Sequence, residues 1–227
     1  MQTLIESIAV MHSDFPTKFG IPRQSGLVEN LRSTIVFEPK YRNPDALRGL
    51  TDYSHLWLVW QFSESVRTDW TPTVRPPRLG GNTRMGVFAT RSPFRPNSLG
   101  LSCVKLLGVE QTEKNGTVIH VAGADLMHGT PIFDIKPYVP YSDCHPDALG
   151  GFTDSAPDFI LQVDVPDTLL QKIPESKQAA LVEVLSHDPR PSYQHNADRV
   201  YGLSFAGFDI RFTVDGDTLY VKEVIAL

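Results

Sequence analysis

TPTVRPPRLGGNTRMGVFATRSPFRPNSLGL, the segment from Thr71 to Leu101, holds five arginines (Arg75, Arg78, Arg84, Arg91 and Arg95) and no Asp, Glu or Lys. These 31 residues carry +5 in a chain of formal net charge −5, so the other 196 residues sum to −10. Five prolines and four glycines in the same window exclude a long helix and call for fixed turns. Proline presets φ and removes a donor, and glycine opens backbone conformations closed to other residues. Guanidinium groups on such a stiff backbone suit carboxylates and phosphates, whose geometry the planar fork matches. The same arginines could instead pair with acids elsewhere in the fold, and charge alone does not separate the two.

Working outward, His55 to Phe62 (HLWLVWQF) is almost continuously apolar and predicts a strand buried on both sides. On the other flank, Ser98 to Val109 and Thr117 to Val121, joined through Lys114-Asn115-Gly116, predict a β-hairpin. Ala124 to Tyr141 then pairs a turn, His128-Gly129-Thr130-Pro131, with an apolar strand on which Asp134 and Lys136 share a face. Upstream, Thr3 to Val10 and Thr34 to Phe37 read as strands. Between them FPTKFGIPRQSGL is a second stiff loop, where Pro22, Arg23 and Gln24 place several donors and acceptors together. Asn43-Pro44-Asp45 offers a cap and a proline start for a short helix through Leu50. Recurrent strand signals and few helices predict a mainly β fold: an antiparallel barrel over residues 1–150, with its Pro/Gly/Arg loops gathered at one ligand-binding end.

From Ser142 to Pro157 the composition shifts to Ser, Asp, Gly and Pro, which predicts a domain boundary. Residues 151–227 then read as a small α+β appendage. Its expected parts are a strand at Phe159 to Val165, a helix at Pro174 to Ser186, and a stiff basic loop, HDPRPSYQH, with Arg190 and Tyr193. A hairpin of Gly207 to Thr213 and Thr218 to Ile225 closes the chain.

A composition of 41% hydrophobic, 10% aromatic and 21% charged residues is that of a soluble globular protein. No apolar run reaches the ~18 residues of a membrane span, and the acid-containing start MQTLIESIAVMHSDF is unlike a secretory signal. Cys103 and Cys144 stand in no ligand spacing, which argues against a metal site or disulfide framework and makes the cytoplasm the default location. No G-x-G-x-x-G, Walker, G-x-S-x-G or H-E-x-x-H motif is present, so any nucleotide-like cofactor is held without a Rossmann turn. A pI near 5.8 usually counts against nucleic acid, but the arginine segment is locally basic.

PRQ at Pro22 to Gln24, SHLW at Ser54 to Trp57, RPPRLGG at Arg75 to Gly81, GVFATRSPFRPN at Gly86 to Asn97, GTPIFDIKPY at Gly129 to Tyr138 and HDPRP at His187 to Pro191 together resemble the TsaA-like (YaeB) family. The resemblance covers nearly the whole chain. It implies a β-barrel methyltransferase outside the Rossmann class, a homodimer that uses S-adenosyl-L-methionine. The implied acceptor is N6 of threonylcarbamoyladenosine at tRNA position 37, beside the anticodon. Carried over by motif, the cofactor residues are Pro22, Arg23, Gln24, Phe62, Ser63, Arg91, Leu101, His128, Gly129, Thr130 and Pro131. Two depart from the family pattern, which commonly has a histidine where Ser63 stands and an acid where His128 stands.

The urea-like acceptor nitrogen must lose a proton, so a base is useful; Asp134 is the candidate, with Lys136 and Tyr138 beside it. Asp134 and Lys136 read equally well as a structural ion pair, and water could take the proton. A single-stranded anticodon loop calls for phosphate contacts and planar side chains, expected from Arg75, Arg78, Arg84 and Arg95, and from Arg190 and Tyr193 in the tail. Loss of the tail is accordingly expected to weaken tRNA binding more than cofactor binding. A non-catalytic RNA-binding barrel, or a sensor of S-adenosylmethionine, fits the same charge pattern.

Overall fold

The computed structural model describes residues 3–154, 160–190 and 196–227. In chain order its first strands are β1 (Ala9–His12), β2 (Arg32–Phe37), β3 (His55–Gln61), the two-residue β4 (Thr73–Val74) and β5 (Met85–Gly86), β6 (Leu99–Thr112), β7 (Gly116–Ala122) and β8 (Pro131–Pro137). Six of them join antiparallel in the order β1-β2-β7-β6-β3-β8. β8 returns to β1 with Ile132 opposite Ala9, so the sheet closes into a barrel. Closure leaves no unpaired edge to attract another chain. β4 and β5 pair only with each other and brace the arginine segment outside the ring.

Alternation along each strand decides what fills the barrel. Leu56, Leu58 and Trp60 point inward onto Met11, Ile35, Val104, Ile119 and Ile132, while His55, Trp57, Val59 and Gln61 turn outward. The apolar run HLWLVWQF is therefore not buried on both sides, as expected from its composition; it has one core face, as a barrel strand must. The β6–β7 hairpin does turn where Asn-Gly predicted, with Gly116 at φ 67. The helix expected at Pro44 to Leu50 is instead a pair of 3-10 turns, Pro44–Leu47 and Leu50–Asp52. Gly49 at φ 82 interrupts them, although Asn43 caps the first by accepting the Asp45 N–H at 3.0 Å.

Outward-facing Trp57 is anchored by its indole N–H, which donates to the Asp143 carboxylate at 2.9 Å; Asp143 closes the short helix α1 (Pro140–Asp143). That carboxylate also accepts the Val139 backbone N–H at 2.8 Å. The Val139 bond, then the indole, hold the Asp143 carboxyl below the ordinary Asp range. A lowered folded value means the stabilisation is present above the unfolded pKa and is lost as pH falls through the folded one. Asp143→Asn should flatten the acid side of a melting-temperature profile below about pH 4. An unchanged acid limb would remove Asp143 from the acid response.

The tail comprises β9 (Gln162–Asp164), α2 (Asp167–Leu170), α3 (Glu175–Ser186), β10 (Tyr201–Phe205), β11 (Phe208–Asp215) and β12 (Thr218–Ala226). Its sheet runs β10-β11-β12-β9, with β9 parallel to β12, and α3 covers it with Ala180, Leu181, Val184 and Leu185. This core is not built by the tail alone. Phe15, Val28 and Leu31, from the loop between β1 and β2, are buried in it, and Phe19 and Ile21 pack against it. Phe15 meets Phe205 edge-on at 5.3 Å, and Lys177 of α3 pairs with Asp14 at 2.6 Å. The loop that carries Pro22 to Gln24 is thus seated on the tail. No described helix is long and apolar enough to cross a membrane.

Candidate functional site

At one end of the barrel a hollow of about 550 Å³ lies where the stiff loops meet, within the ~300–1,000 Å³ range of small-molecule sites. Pro22, Arg23, Gln24, Phe62, Ser63, Arg91, Leu101 and Thr130 all line it. The loops are fixed from several sides. Gly26 N–H donates to Gly123 O at 2.8 Å, and Phe62 N–H to Ser98 O at 2.9 Å. Ser25 Oγ accepts the Cys103 N–H at 3.1 Å. The Arg91 guanidinium donates to Gln24 Oε1, tying the two arginine-bearing loops together. Arg95 donates to Thr90 O at 2.7 Å and so staples the turn that presents Arg91. The turn before β8 is held by Gly129 N–H on Met11 O (2.7 Å) and Met11 N–H on Thr130 O (2.9 Å).

Trp60, Met127 and Asp125 are among the lining residues that escaped the sequence reading. Trp60 sits over Gly100, where a Cβ would run into the indole ring, and its ring meets that of Phe62 at 4.3 Å. Its Nε1–H donates to Ser102 Oγ at 2.9 Å, and Ser102 Oγ donates to Asp125 Oδ1 at 2.6 Å. The available signal was a lone acid in the apolar run VAGADLM, Val121 to Met127.

A second, larger hollow of about 1260 Å³ adjoins the first and is lined by Arg67, Arg75, Arg84, Phe88, Phe94 and Phe152, among others. The two share Arg23, Gln24, Thr90, Arg91 and Pro93 as a common wall. Phe88 is 72% exposed and Trp70 beside it 49%, while the Arg67 guanidinium lies 3.8 Å over the Phe94 ring. Among the described residues no acid forms an ion pair with Arg75, Arg84, Arg91 or Arg95. The trough is therefore cationic and aromatic, with its arginines uncommitted to carboxylates.

Other expected residues fall elsewhere. Asp134 and Lys136 form an ion pair of 2.9 Å on the outer face of β8, opposite Val59 and Trp57, and line neither hollow. Tyr138 packs on Trp57 and His55 at 5.9 and 6.1 Å. The His128 ring turns toward His12 at 4.9 Å, in a separate cleft beside Lys177; burial, then His128, lowers the His12 pKa. Gly129 and Pro131 shape the turn without lining the main hollow. Arg190, expected to meet RNA, is instead buried and paired with Asp188 at 2.8 Å, so its guanidinium serves the tail itself. Tyr193 and the Arg78 side chain lie outside the described residues. Among the described residues no group of His, Cys, Asp and Glu could hold a metal ion.

The architecture is a closed antiparallel barrel whose small-molecule hollow adjoins an arginine and aromatic trough, with no Rossmann layer. Family models match along most of the chain: residues 10–144 fit the tRNA-methyltransferase O N-terminal domain, and residues 160–227 the TrmO C-terminal domain. The chain belongs to the tRNA-methyltransferase O family. It is 40% identical over 217 residues to the tRNA (adenine(37)-N6)-methyltransferase of Escherichia coli K12, covering 92% of each chain. It is 39% identical over 216 residues to a putative S-adenosylmethionine-dependent methyltransferase of Pseudomonas aeruginosa, covering 92% of this chain and 91% of that one. The crystal structure of TrmO from Pseudomonas aeruginosa superposes with a TM-score of 0.80 at 30% identity, over the full length of both chains.

Proposed function

We propose that this chain methylates N6 of the threonylcarbamoyladenosine at tRNA position 37, using S-adenosylmethionine bound in the smaller hollow. The observation that carries this is the shared wall: Arg23, Gln24, Thr90, Arg91 and Pro93 face both hollows, so a donor in one and an acceptor in the other would meet there. S-adenosylmethionine supplies a methyl group on a sulfonium sulfur. The residues present fit it. Arg23 and Arg91 offer forks for a carboxylate, Trp60, Phe62 and Leu101 offer apolar faces for a purine and a thioether, and Ser63 and Thr130 offer hydroxyls. In the trough Arg75 and Arg84 would hold phosphates, and Phe88 and Phe94 would stack on bases. Such alignment of two reactants is worth up to ~7–11 kcal/mol.

The homodimer fits an outward apolar strip on β3 and β6, where Val59 stands between Leu101, 56% exposed, and Asp134. Since Asp134 lines neither hollow of its own chain, it would serve as base only where a second copy covering that strip brings it to a hollow of the other copy. Light scattering that finds a monomer would remove both the pairing and that role. A tRNA substrate fits a cytoplasmic location.

Incubation of labelled S-adenosylmethionine with tRNA that does or does not carry threonylcarbamoyl tests the reaction. Label in the modified tRNA alone supports it; label in neither, with donor bound, leaves a sensor. For the trough, Arg75→Ala and Arg84→Ala should each reduce the slope of log affinity against log salt by about 1. Unchanged slopes would take these arginines off the RNA path.

A further inference from the structure

Asp125 lines the smaller hollow, and the donor site above gives it no task. It lies between β7 and β8, largely withdrawn from solvent, with its carboxylate toward the cavity. Ser102 donates to it at 2.6 Å, Trp60 holds Ser102, and the backbone of Ser25 also donates. Ser102 fixes its orientation and, with the backbone N–H groups of Ser25 and of Asp125 itself, favours its charge. Burial opposes that charge and is the larger effect, so the carboxyl titrates above the ordinary Asp range, with Arg91 pulling it only part of the way back.

Among the described residues no cation forms an ion pair with Asp125. A desolvated carboxylate without a counter-ion is costly. Holding Trp60 through Ser102 does not require it, since an amide oxygen would accept the same hydroxyl. The charged groups around the hollow are Lys18, Arg23, Arg91 and Arg95, with Glu64 on an exposed turn as the other acid. A ligand carrying one carboxylate finds ample cations there. Its own positive charges find one acid recessed in the cavity wall, Asp125.

We infer that Asp125 is the counter-ion for the positively charged end of the donor, its ammonium and adjacent sulfonium, and that Ser102 and Trp60 are the positioning residues that aim it. The inference rests on the smaller hollow being the S-adenosylmethionine site. Because a bound cation favours ionised Asp125, donor affinity should rise with pH until the carboxyl is ionised in the free protein. Below that point, binding should release a proton.

The test is calorimetric titration of the wild type and Asp125→Asn with three probes. S-adenosylmethionine carries both charges, S-adenosylhomocysteine keeps the ammonium alone, and 5′-methylthioadenosine has neither. The expected result is a ~10- to 100-fold loss for S-adenosylmethionine, with 5′-methylthioadenosine unaffected, which also shows the variant folded. A loss shared by S-adenosylhomocysteine assigns the ammonium, and a loss confined to S-adenosylmethionine assigns the sulfonium; either supports the inference. Equal losses for all three probes would mean a structural role and overturn it. Unchanged affinities, with or without lost turnover, would overturn it too. If the variant does not fold, titration of the wild type in two buffers of different ionisation enthalpy decides. Proton release at acid pH with S-adenosylmethionine and none with 5′-methylthioadenosine supports it, and no difference overturns it. A wild type that binds no S-adenosylmethionine would instead end the donor-site assignment itself.

Discussion

Arg91→Ala is expected to lower kcat/KM for tRNA methylation by ~10²–10⁴, with donor and tRNA affinity both falling ~10- to 100-fold. A hydrogen bond to a charged group contributes about 1.5–3 kcal/mol, which is one to two decades in affinity. Arg91 lies in the wall common to the two hollows, so its removal acts on each ligand separately. It also frees Gln24 from its bridge between the loops. Asp125 loses the positive charge that draws its carboxyl down, so the donor's counter-ion becomes harder to ionise. Arg75→Ala, whose side chain faces the trough alone, should weaken tRNA and leave the donor as it was. Arg91→Lys separates charge from shape: an ammonium restores attraction for phosphate but cannot reproduce the planar fork. It should therefore recover tRNA affinity more than donor affinity. Donor affinity within twofold of wild type in Arg91→Ala would refute the shared wall.

What the sequence disclosed of this site has a physical pattern. That Arg23, Gln24 and Arg91 line one hollow was legible because proline and glycine announce fixed turns, and such loops gather at a barrel mouth; the charge of the arginine cluster alone left ligand binding and structural pairing open. The β6–β7 hairpin and α3 were legible because Asn-Gly turns and helical spacing are local signals. β3 was misjudged because a run of apolar residues does not reveal which of them faces out of a closed barrel; Trp57 and Val59 do. Asp134 and Lys136 were correctly placed on one face, but the face is the outer one. Asp125 showed in the sequence only as a lone acid in an apolar run, since its environment is made by Ser102 on β6 and Trp60 on β3, and that juxtaposition exists only once the strands pair. The seating of the Pro22–Gln24 loop on the tail was hidden for the same reason.

That seating adds an expectation about the tail, that it positions the donor loop. Phe205→Ala should cost ~3–5 kcal/mol, as full-size aromatic deletions in cores do, and should weaken S-adenosylmethionine binding under conditions where the protein remains folded. The path is short: Phe205 packs on Phe15, and Phe15 begins the loop that continues through Phe19 and Ile21 to Pro22, Arg23 and Gln24. Gly20 sits at φ 83 with Leu203 occupying the place a Cβ would take, so the loop and β10 are in contact along this stretch. Lys177 and Asp14 clamp the same region from α3. Leu219→Ala supplies the comparison. It removes a buried side chain from the same core, at ~2–5 kcal/mol, but on β12, two strands away from β10. If the tail positions the donor loop, Phe205→Ala lowers donor affinity several-fold while Leu219→Ala of equal instability does not. If the tail serves RNA alone, neither variant moves the donor, and both leave its affinity at the wild-type value. Equal weakening by both would mean that general loosening of the core, rather than the Phe15 contact, sets the loop.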